Sequence, residues 1–166
     1  MFGISVFALL CFPADAATPS LASCRQTVQS FYSWYLTNTS HTTPIRAKPS
    51  LFGTQLLGML RADAAAQAKS KKIVGLDFDP YVNAQIAPTR VVAGTAVQSG
   101  AACRVPVLMA FGKTAPLKVN NTAVLGMEHG QWVFTDFIFP TGGDLIKTLN
   151  ILKAQRAKGV TRDDMD

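Results

Sequence analysis

The sequence lacks several features that define common protein classes. Its 166 residues contain no apolar run of 18 residues or more, so we expect no transmembrane anchor. Neither a G-x-G-x-x-G pattern nor a P-loop is present, and the histidines are only two, His41 and His129. Charged residues make up 16% of the chain and hydrophobic residues 48%, a composition that excludes intrinsic disorder. The length fits one globular domain with its own core.

Cysteine is also scarce, and its odd count of three is explained by the N-terminus. Residues 2–12 form an apolar stretch (FGISVFALLCF), followed by Pro13 and the short segment ADAA over 14–17. An apolar segment, a helix breaker and an A-x-A site are typical of a cleavable signal peptide, although no Lys or Arg precedes the stretch. We therefore expect a signal peptide over 1–17, cleavage near Ala16, and a periplasmic or secreted mature protein. A buried N-terminal strand or helix is the structural alternative.

Removal of the signal peptide would leave two cysteines, Cys24 and Cys103. Two cysteines in an exported protein are more often bridged than free, so we expect a disulfide, with two buried free thiols as the alternative. The segment 21–24 (LASC) also matches a lipobox, which would make Cys24 a lipidated N-terminus. Because two prolines and an aspartate separate this box from the apolar stretch, lipidation is the weaker prediction.

The first half of the mature chain has helical periodicity. Apolar residues recur every three or four positions over 21–37, after Thr18 and Pro19, a pair that favours a helix start. Residues 38–49 are polar and proline-flanked and predict a loop. Ser50 is placed to cap a second helix, which ends in a lysine-rich stretch.

The second half changes to a period of two. From Arg90 onward, alternating apolar residues predict four successive antiparallel strands joined by short turns. Pro106 cannot donate a backbone hydrogen bond, so its strand is expected to be bulged or at an edge of the sheet. Residues 129–130 (His-Gly) occupy the two positions of a tight hairpin turn. Thr141 with Asp144 makes a capping-box-like start to a final helix, which ends at Gly159.

This order predicts an α+β domain over 18–159, followed by a polar tail over 160–166. Two N-terminal helices would pack on the concave face of a curved antiparallel sheet of about four strands, with a C-terminal helix closing the domain, a cystatin-like or cone-like arrangement. We expect Trp34 and Trp132 to be buried together in this core.

Three stretches occur in an order that resembles a known family. They are 31–36 (FYSWYL), 76–85 (LDFDPYVNAQ) and 131–139 (QWVFTDFIF). Over about residues 25–152 the chain resembles the exported bacterial proteins grouped as domain of unknown function 3828, which are similar to the nuclear-transport-factor-2-like cone fold. The resemblance implies a fold and an envelope location, but no established activity. An acid would be expected after Gln85, and an isoleucine stands there instead.

The same stretches supply a candidate pocket. Asp77 and Asp79 could bind a cation, or act as acid and base if one were desolvated, but Asp-x-Asp and Asp-Pro are also ordinary turn formers. By strand alternation Asp136 would share a face with Trp132 and Phe134, where burial would raise its pKa and suit it to general-base chemistry. A carboxylate held by a lysine or a backbone amide at the sheet rim is the structural alternative. The candidate set is Trp34, Tyr35, Asp77, Asp79, Tyr81, Gln85, Trp132 and Asp136.

Other chemistries have no support in the sequence pattern. Neither histidine has a nucleophile or an acid at a known spacing, so a catalytic triad is not predicted. The two cysteines of the mature chain lie 79 positions apart, which is not a zinc-site spacing. We expect no catalytic residue, no cofactor and no metal.

The excess of basic residues indicates which classes of partner to expect. The chain has 16 basic and 10 acidic residues and a net charge of +6. Because the basic residues are dispersed and exported proteins rarely meet nucleic acid, we expect no nucleic-acid partner and favour peripheral contact with an anionic lipid, glycan or protein surface.

The leading functional prediction is an exported, non-catalytic binding module for an unknown small ligand or envelope protein. One alternative is an envelope inhibitor or immunity-type protein that occludes a partner enzyme. A second is a small cone-fold enzyme using Asp136 or Asp79 as general base, although a fold alone does not decide between these functions.

Overall fold

The computed structural model describes residues 19–38 and 43–161. The expected signal peptide and its cleavage site, His41, and residues 162–166 of the expected tail lie outside these ranges. The predicted α+β class is confirmed. In chain order the elements are α1 (Leu21–Tyr35), α2 (Thr43–Ala47), a 3-10 turn (Pro49–Leu51), α3 (Thr54–Ala68), β1 (Arg90–Ala93), β2 (Val97–Ser99), β3 (Ala102–Ala110), β4 (Lys118–Glu128), β5 (Gln131–Ile138) and α4 (Leu145–Ala157).

Helix α1 begins two residues later than predicted. Ser20, not Thr18, is its N-cap: the Ser20 hydroxyl accepts the Ser23 N–H at 3.1 Å, and the Ser23 hydroxyl accepts the Ser20 N–H at 2.9 Å. The prediction from Thr18 and Pro19 is therefore wrong, because this reciprocal pair satisfies two otherwise free N–H groups at the later position.

Helix α3 also starts later than predicted. The segment 38–49, predicted as loop, contains α2, and Ser50 lies in the 3-10 turn rather than capping a helix. The N-cap of α3 is Gly53, which has no side chain to offer. The Glu128 carboxylate supplies the missing acceptor, taking hydrogen bonds from the Thr54 N–H at 3.0 Å and the Thr54 hydroxyl at 2.9 Å. A cap that comes from 74 residues away could not be inferred from local sequence.

The strands form one antiparallel sheet in the order β1-β3-β4-β5, with β2 also paired to β3. The predicted β4–β5 turn is confirmed, with positive φ angles of 51° at His129 and 76° at Gly130. The sheet has five strands because the first predicted strand is divided into β1 and β2. Both halves pair with the same neighbour.

Pro106 lies where that division occurs. Strand β3 has partners on both sides, so the edge position is excluded. Its pairing with β4 shifts between Val107 and Leu108 and leaves Asn120 as an extra residue in β4, so the bulge lies in the partner strand and not, as predicted, in the strand of Pro106. Pro106 lacks an N–H but still accepts the Gly94 N–H at 2.7 Å, just after β1 ends. The interruption of the outer strand thus coincides with the missing donor.

The core lies between the sheet and the helices. Helix α1 packs across β1, β3 and β5, and α3 and α4 pack against each other and β5. A disulfide joins Cys24 of α1 to Cys103 of β3, and both residues are fully buried. No helix in the described ranges is long and apolar enough to cross a membrane.

Trp34 and Trp132 lie at the margin of this core, so the prediction that both are buried together in it is wrong. Lys48 Nζ lies 5.2 Å from the centre of the Trp34 ring. The Trp132 indole N–H donates to the Ser20 carbonyl at 3.2 Å. An indole N–H needs a hydrogen-bond partner when it is covered, and the start of α1 provides one at the sheet rim.

Candidate functional site

The interior is filled by aromatic rings rather than left open. Phe31 lies at the centre of the cluster, where its ring meets neighbours edge-on, tilted and stacked. Such pairs add to the stabilisation that comes from burying their area. Neighbouring ring centres lie 4.9 to 6.0 Å apart in the set Phe31, Tyr35, Phe52, Tyr81, Phe134 and Phe137.

Three predicted site residues, Tyr35, Asp79 and Tyr81, lie together at one side of this cluster. One Asp79 oxygen accepts the Tyr81 N–H at 2.9 Å, which is the aspartate turn that the sequence offered as the structural alternative. The other Asp79 oxygen accepts the Tyr35 hydroxyl. The backbone of Asp79 closes the turn by donating to the Ala84 carbonyl at 2.9 Å. Asp79 thus both forms the turn and fastens it to α1.

Two residues that the sequence reasoning did not select hold the same turn from the other side. The Tyr32 hydroxyl donates to the Tyr81 carbonyl at 2.6 Å, and the Asn121 amide donates to that carbonyl at 2.5 Å. Asn121 is fully buried. Its place on the same face of β4 as Ala123 and Leu125, both fully buried, was the available signal, because a lone amide at such a position must find a partner.

The hydroxyls of the three tyrosines are un-ionised at neutral pH. Burial raises the pKa of Tyr32, Tyr35 and Tyr81, and the charge of Asp79 raises each of them further. In Tyr32 the hydrogen bond with Asn121 opposes this rise. The Tyr81 hydroxyl is buried and has no hydrogen-bond partner within the described residues.

The remaining members of the predicted pocket lie elsewhere. Gln85 is exposed, and its amide reaches the Asp77 carbonyl at 3.4 Å, at the start of the same connection. Trp34 and Trp132 lie at the core margin described above. The structure therefore groups three of the eight candidates tightly and spreads the rest.

Asp136 does not share a face with Trp132 and Phe134, so that prediction is wrong. The pairing of β4 with β5 shifts between Val124 and Leu125, which leaves Thr135 as an extra residue in β5. As a result Phe134 and Phe137 both face the core, stacked at 5.2 Å. Alternation counted without this extra residue places Asp136 on the core face of β5, whereas it lies on the opposite face.

The Asp136 carboxylate instead holds the start of α4. One oxygen accepts the Phe137 N–H at 2.8 Å and the Ile146 N–H at 3.1 Å. Burial raises the pKa of Asp136, these backbone hydrogen bonds lower it, and nearby Asp144 raises it. The arrangement is that of a carboxylate bound by backbone amides at the sheet rim.

Charge is distributed unequally between surface and interior. Thirteen of the 15 lysines and arginines in the described ranges are exposed, whereas none of the six acids there is. Asp63 is buried, where it binds Arg156 and accepts the Leu76 N–H at 2.9 Å. Asp144, and not the predicted Thr141, is the N-cap of α4, and its carboxylate accepts the Lys147 N–H at 2.7 Å. Because the carboxylates support the fold, the outer surface is more cationic than the net charge implies.

No group of three or more His, Cys, Asp or Glu within 19–38 and 43–161 could hold a metal ion.

Comparisons with known proteins give a weak likeness. No protein-family model matches the chain, and no curated protein matches it. Among solved structures, it is similar to a chain in the crystal structure of the type VI native effector-immunity complex Tae3-Tai3 from Ralstonia pickettii. That match has 18% sequence identity and a TM-score of 0.44, and it covers 69% of this chain and 93% of the other. A likeness of this degree does not assign a function.

Proposed function

We propose that the mature protein is an exported, non-catalytic binding module that engages an acidic face of a protein in the cell envelope. The observation that carries this proposal is the partition of charge: exposed lysines and arginines outside, carboxylates held in the fold. Complementary charge accelerates encounter between partners and fixes their orientation. The ring-filled interior leaves the outer surface for recognition, which is also how an inhibitor or immunity-type protein would occlude a partner enzyme.

Export is supported by two independent features. The apolar stretch over 2–12 and the small residues after it are typical of a signal peptide. A buried disulfide is stable in oxidising compartments and rare in the cytosol. The bridge also argues against lipidation, because the sulfur of Cys24 that bonds Cys103 cannot carry a lipid thioether at the same time.

The two acids proposed as general bases have structural roles. Asp79 is engaged by Tyr35 and by its own turn, and Asp136 by the first amides of α4. A general base must reach a substrate proton, which would require either carboxylate to give up these bonds. The enzyme alternative is therefore the less favoured one, and the resemblance to the exported family of unknown function stays a prediction.

Cross-linking in living cells of the native host tests the proposal. The full-length chain, carrying a C-terminal tag, would be cross-linked, purified from the envelope fraction and examined by mass spectrometry, which also gives its N-terminus. We expect cleavage near Ala16 and a cross-linked envelope protein with an acidic surface. With both proteins purified, Kd should rise at least about tenfold between low and physiological salt, because exposed charges are screened.

Two results would contradict the proposal. An uncleaved N-terminus on a protein found in the cytosolic fraction would remove export. A purified partner whose Kd does not respond to salt would remove the electrostatic basis of recognition.

A further inference from the structure

Two open clefts meet on the outer side of α3. The first, about 500 Å³, lies between α3 and the β4–β5 hairpin and is lined by Pro49, Phe52, Leu57, His129, Gln131 and Val133 among others. The second, about 550 Å³, lies between α3 and α4 and is lined by Gln55, Met59, Ala62, Leu149, Lys153 and Arg156. Thr54 and Gly58 line both clefts. We call the combined surface the α3 trough.

Gly58 is the point where the two clefts join. It lies inside α3 and is exposed, and a Cβ built on it would meet nothing within 4 Å. By contrast, a Cβ at Gly53 would lie 2.9 Å from a Glu128 oxygen, and one at Gly75 would lie 2.8 Å from an Asp63 oxygen. A side chain at 53 or 75 would thus displace a carboxylate that the fold uses, whereas one at 58 would displace nothing, although glycine within a helix is unfavourable relative to alanine. Because Gly58 has no side chain, no side chain rises from α3 between the two clefts at this position.

The trough carries positive charge that is exposed to a binding partner. Arg61 and Lys153 are exposed, and neither forms a hydrogen bond or ion pair with any residue that the structure describes. The acid in the lining, Glu128, is bound to Thr54. Apolar walls with free cations beside them match a segment that carries carboxylates next to apolar side chains.

We propose that the α3 trough is the docking site for an acidic, amphipathic segment of the partner protein, crossing α3 over Gly58. Its apolar side chains enter the clefts on either side of α3, and its carboxylates meet Arg61 and Lys153. This inference rests on the proposed function and adds to it the surface and the kind of segment that the surface binds.

Paired variants of the full mature chain separate shape from charge. Gly58→Gln fills the crossing with a side chain that helices accept, and Gly58→Ala is its matched control, adding a methyl group in open space. Arg61→Glu with Lys153→Glu reverses the charge of the trough. Arg104→Glu with Lys118→Glu makes the same change on exposed residues of β3 and β4. Urea unfolding of each variant confirms that it is folded.

The probe is a fluorescein-labelled peptide of leucine and glutamate, about 16 residues long and helical with one apolar face. Binding is followed by fluorescence anisotropy, beside a scrambled peptide of the same composition, phosphatidylglycerol vesicles and a DNA duplex. We expect Gly58→Ala and the control pair on the sheet (Arg104→Glu with Lys118→Glu) to bind the amphipathic peptide within about threefold of wild type. Gly58→Gln and the charge-reversal pair in the trough (Arg61→Glu with Lys153→Glu) should each bind the peptide at least about tenfold more weakly than wild type.

Several results would overturn the trough. If both charge pairs weaken binding equally while Gly58→Gln does not, recognition is electrostatic but diffuse, and the proposed function survives without this site. Tighter binding of the scrambled peptide, the vesicles or the duplex would exclude an amphipathic protein segment as the occupant. If wild type binds no probe but binds the cross-linked envelope partner with salt dependence, the docking site in the trough is contradicted and the proposed function is not. If wild type does not bind that partner with salt dependence either, the proposed function is contradicted as well.

Discussion

At Tyr81 the ring and the hydroxyl have opposite effects on stability. The ring lies within 5.7 Å of Phe31, Tyr35, Phe52 and Phe137, centre to centre, and is fully buried. Its hydroxyl has no hydrogen-bond partner among the described residues. Leaving a buried hydroxyl unsatisfied costs about 1–3 kcal/mol. Tyr81 therefore stabilises the fold through its ring and through its backbone, whose N–H and carbonyl are both hydrogen-bonded.

Tyr81→Phe should therefore leave the free energy of unfolding unchanged or raise it by up to about 1 kcal/mol, since it removes only the unsatisfied group. Urea unfolding at neutral pH measures the change. Tyr32→Phe is the matched control, because its hydroxyl donates to the Tyr81 carbonyl at 2.6 Å, and we expect a loss of about 1 kcal/mol. A loss as large in Tyr81→Phe would mean that the hydroxyl binds a partner in solution, such as an ordered water.

Individual site residues could be predicted from the sequence where their contacts are with residues nearby in the chain. The pair Asp79 and Tyr81 lies within one turn, so its proximity followed from the sequence. The position of Asp136 did not, because one extra residue in β5, Thr135, reverses the alternation on which the prediction depended. Bulges depend on the partner strand, which periodicity within one strand does not record.

Among the elements, α3 depends on a distant side chain for its first turn. Glu128 accepts the Thr54 N–H and hydroxyl, and Gly53 leaves room for the carboxylate. A carboxylate there also interacts favourably with the positive end of the helix dipole. The contact fastens α3 to the β4–β5 hairpin.

Glu128→Ala should lower the free energy of unfolding by about 1–2 kcal/mol, the usual cost of a lost N-cap. It should also increase amide hydrogen exchange at Thr54, measured by NMR. Glu128→Gln keeps an acceptor of the same length but removes the charge, so its loss should be smaller. Unchanged protection of Thr54 in the alanine variant would contradict this role of Glu128.

The kinds and order of the main elements could be predicted, and their ends could not. Periods of three to four and of two depend only on which face is buried, so α1, α3, α4 and the strands followed from the sequence. The short helix α2 was missed because five residues carry no periodicity. The starts of α1 and α3 were misplaced because Ser20 competed with Thr18 and because Glu128 acts from the far end of the chain.

For the whole molecule, the Cys24–Cys103 bridge links the first helix to β3, an inner strand of the sheet. The two residues lie 79 positions apart. Closing so long a loop restricts the unfolded chain, and the chain-entropy model gives a stabilisation of about 4 kcal/mol. The bridge fixes α1 on the sheet independently of the aromatic packing beneath it.

Replacing both cysteines by alanine should lower the free energy of unfolding by about 2–5 kcal/mol. Urea unfolding with and without reductant measures it. Wild type refolded in reductant should approach the stability of the double variant, which should itself be insensitive to reductant. If thiol labelling of unfolded, unreduced wild type finds both cysteines free, the bridge does not form.

The hydrogen bonds at the outer strands also bear on how the protein behaves when concentrated. On β1, Gln29 accepts the Ala93 N–H at 2.9 Å and Arg25 donates to the Ala93 carbonyl at 3.1 Å. On β5, the Phe134 carbonyl accepts the Gly53 N–H at 2.8 Å. Strand β2 is only three residues long. Exposed strand edges are where chains add to one another in ordered aggregates, so a sheet whose margins are occupied or this short should resist fibril growth even when it is crowded.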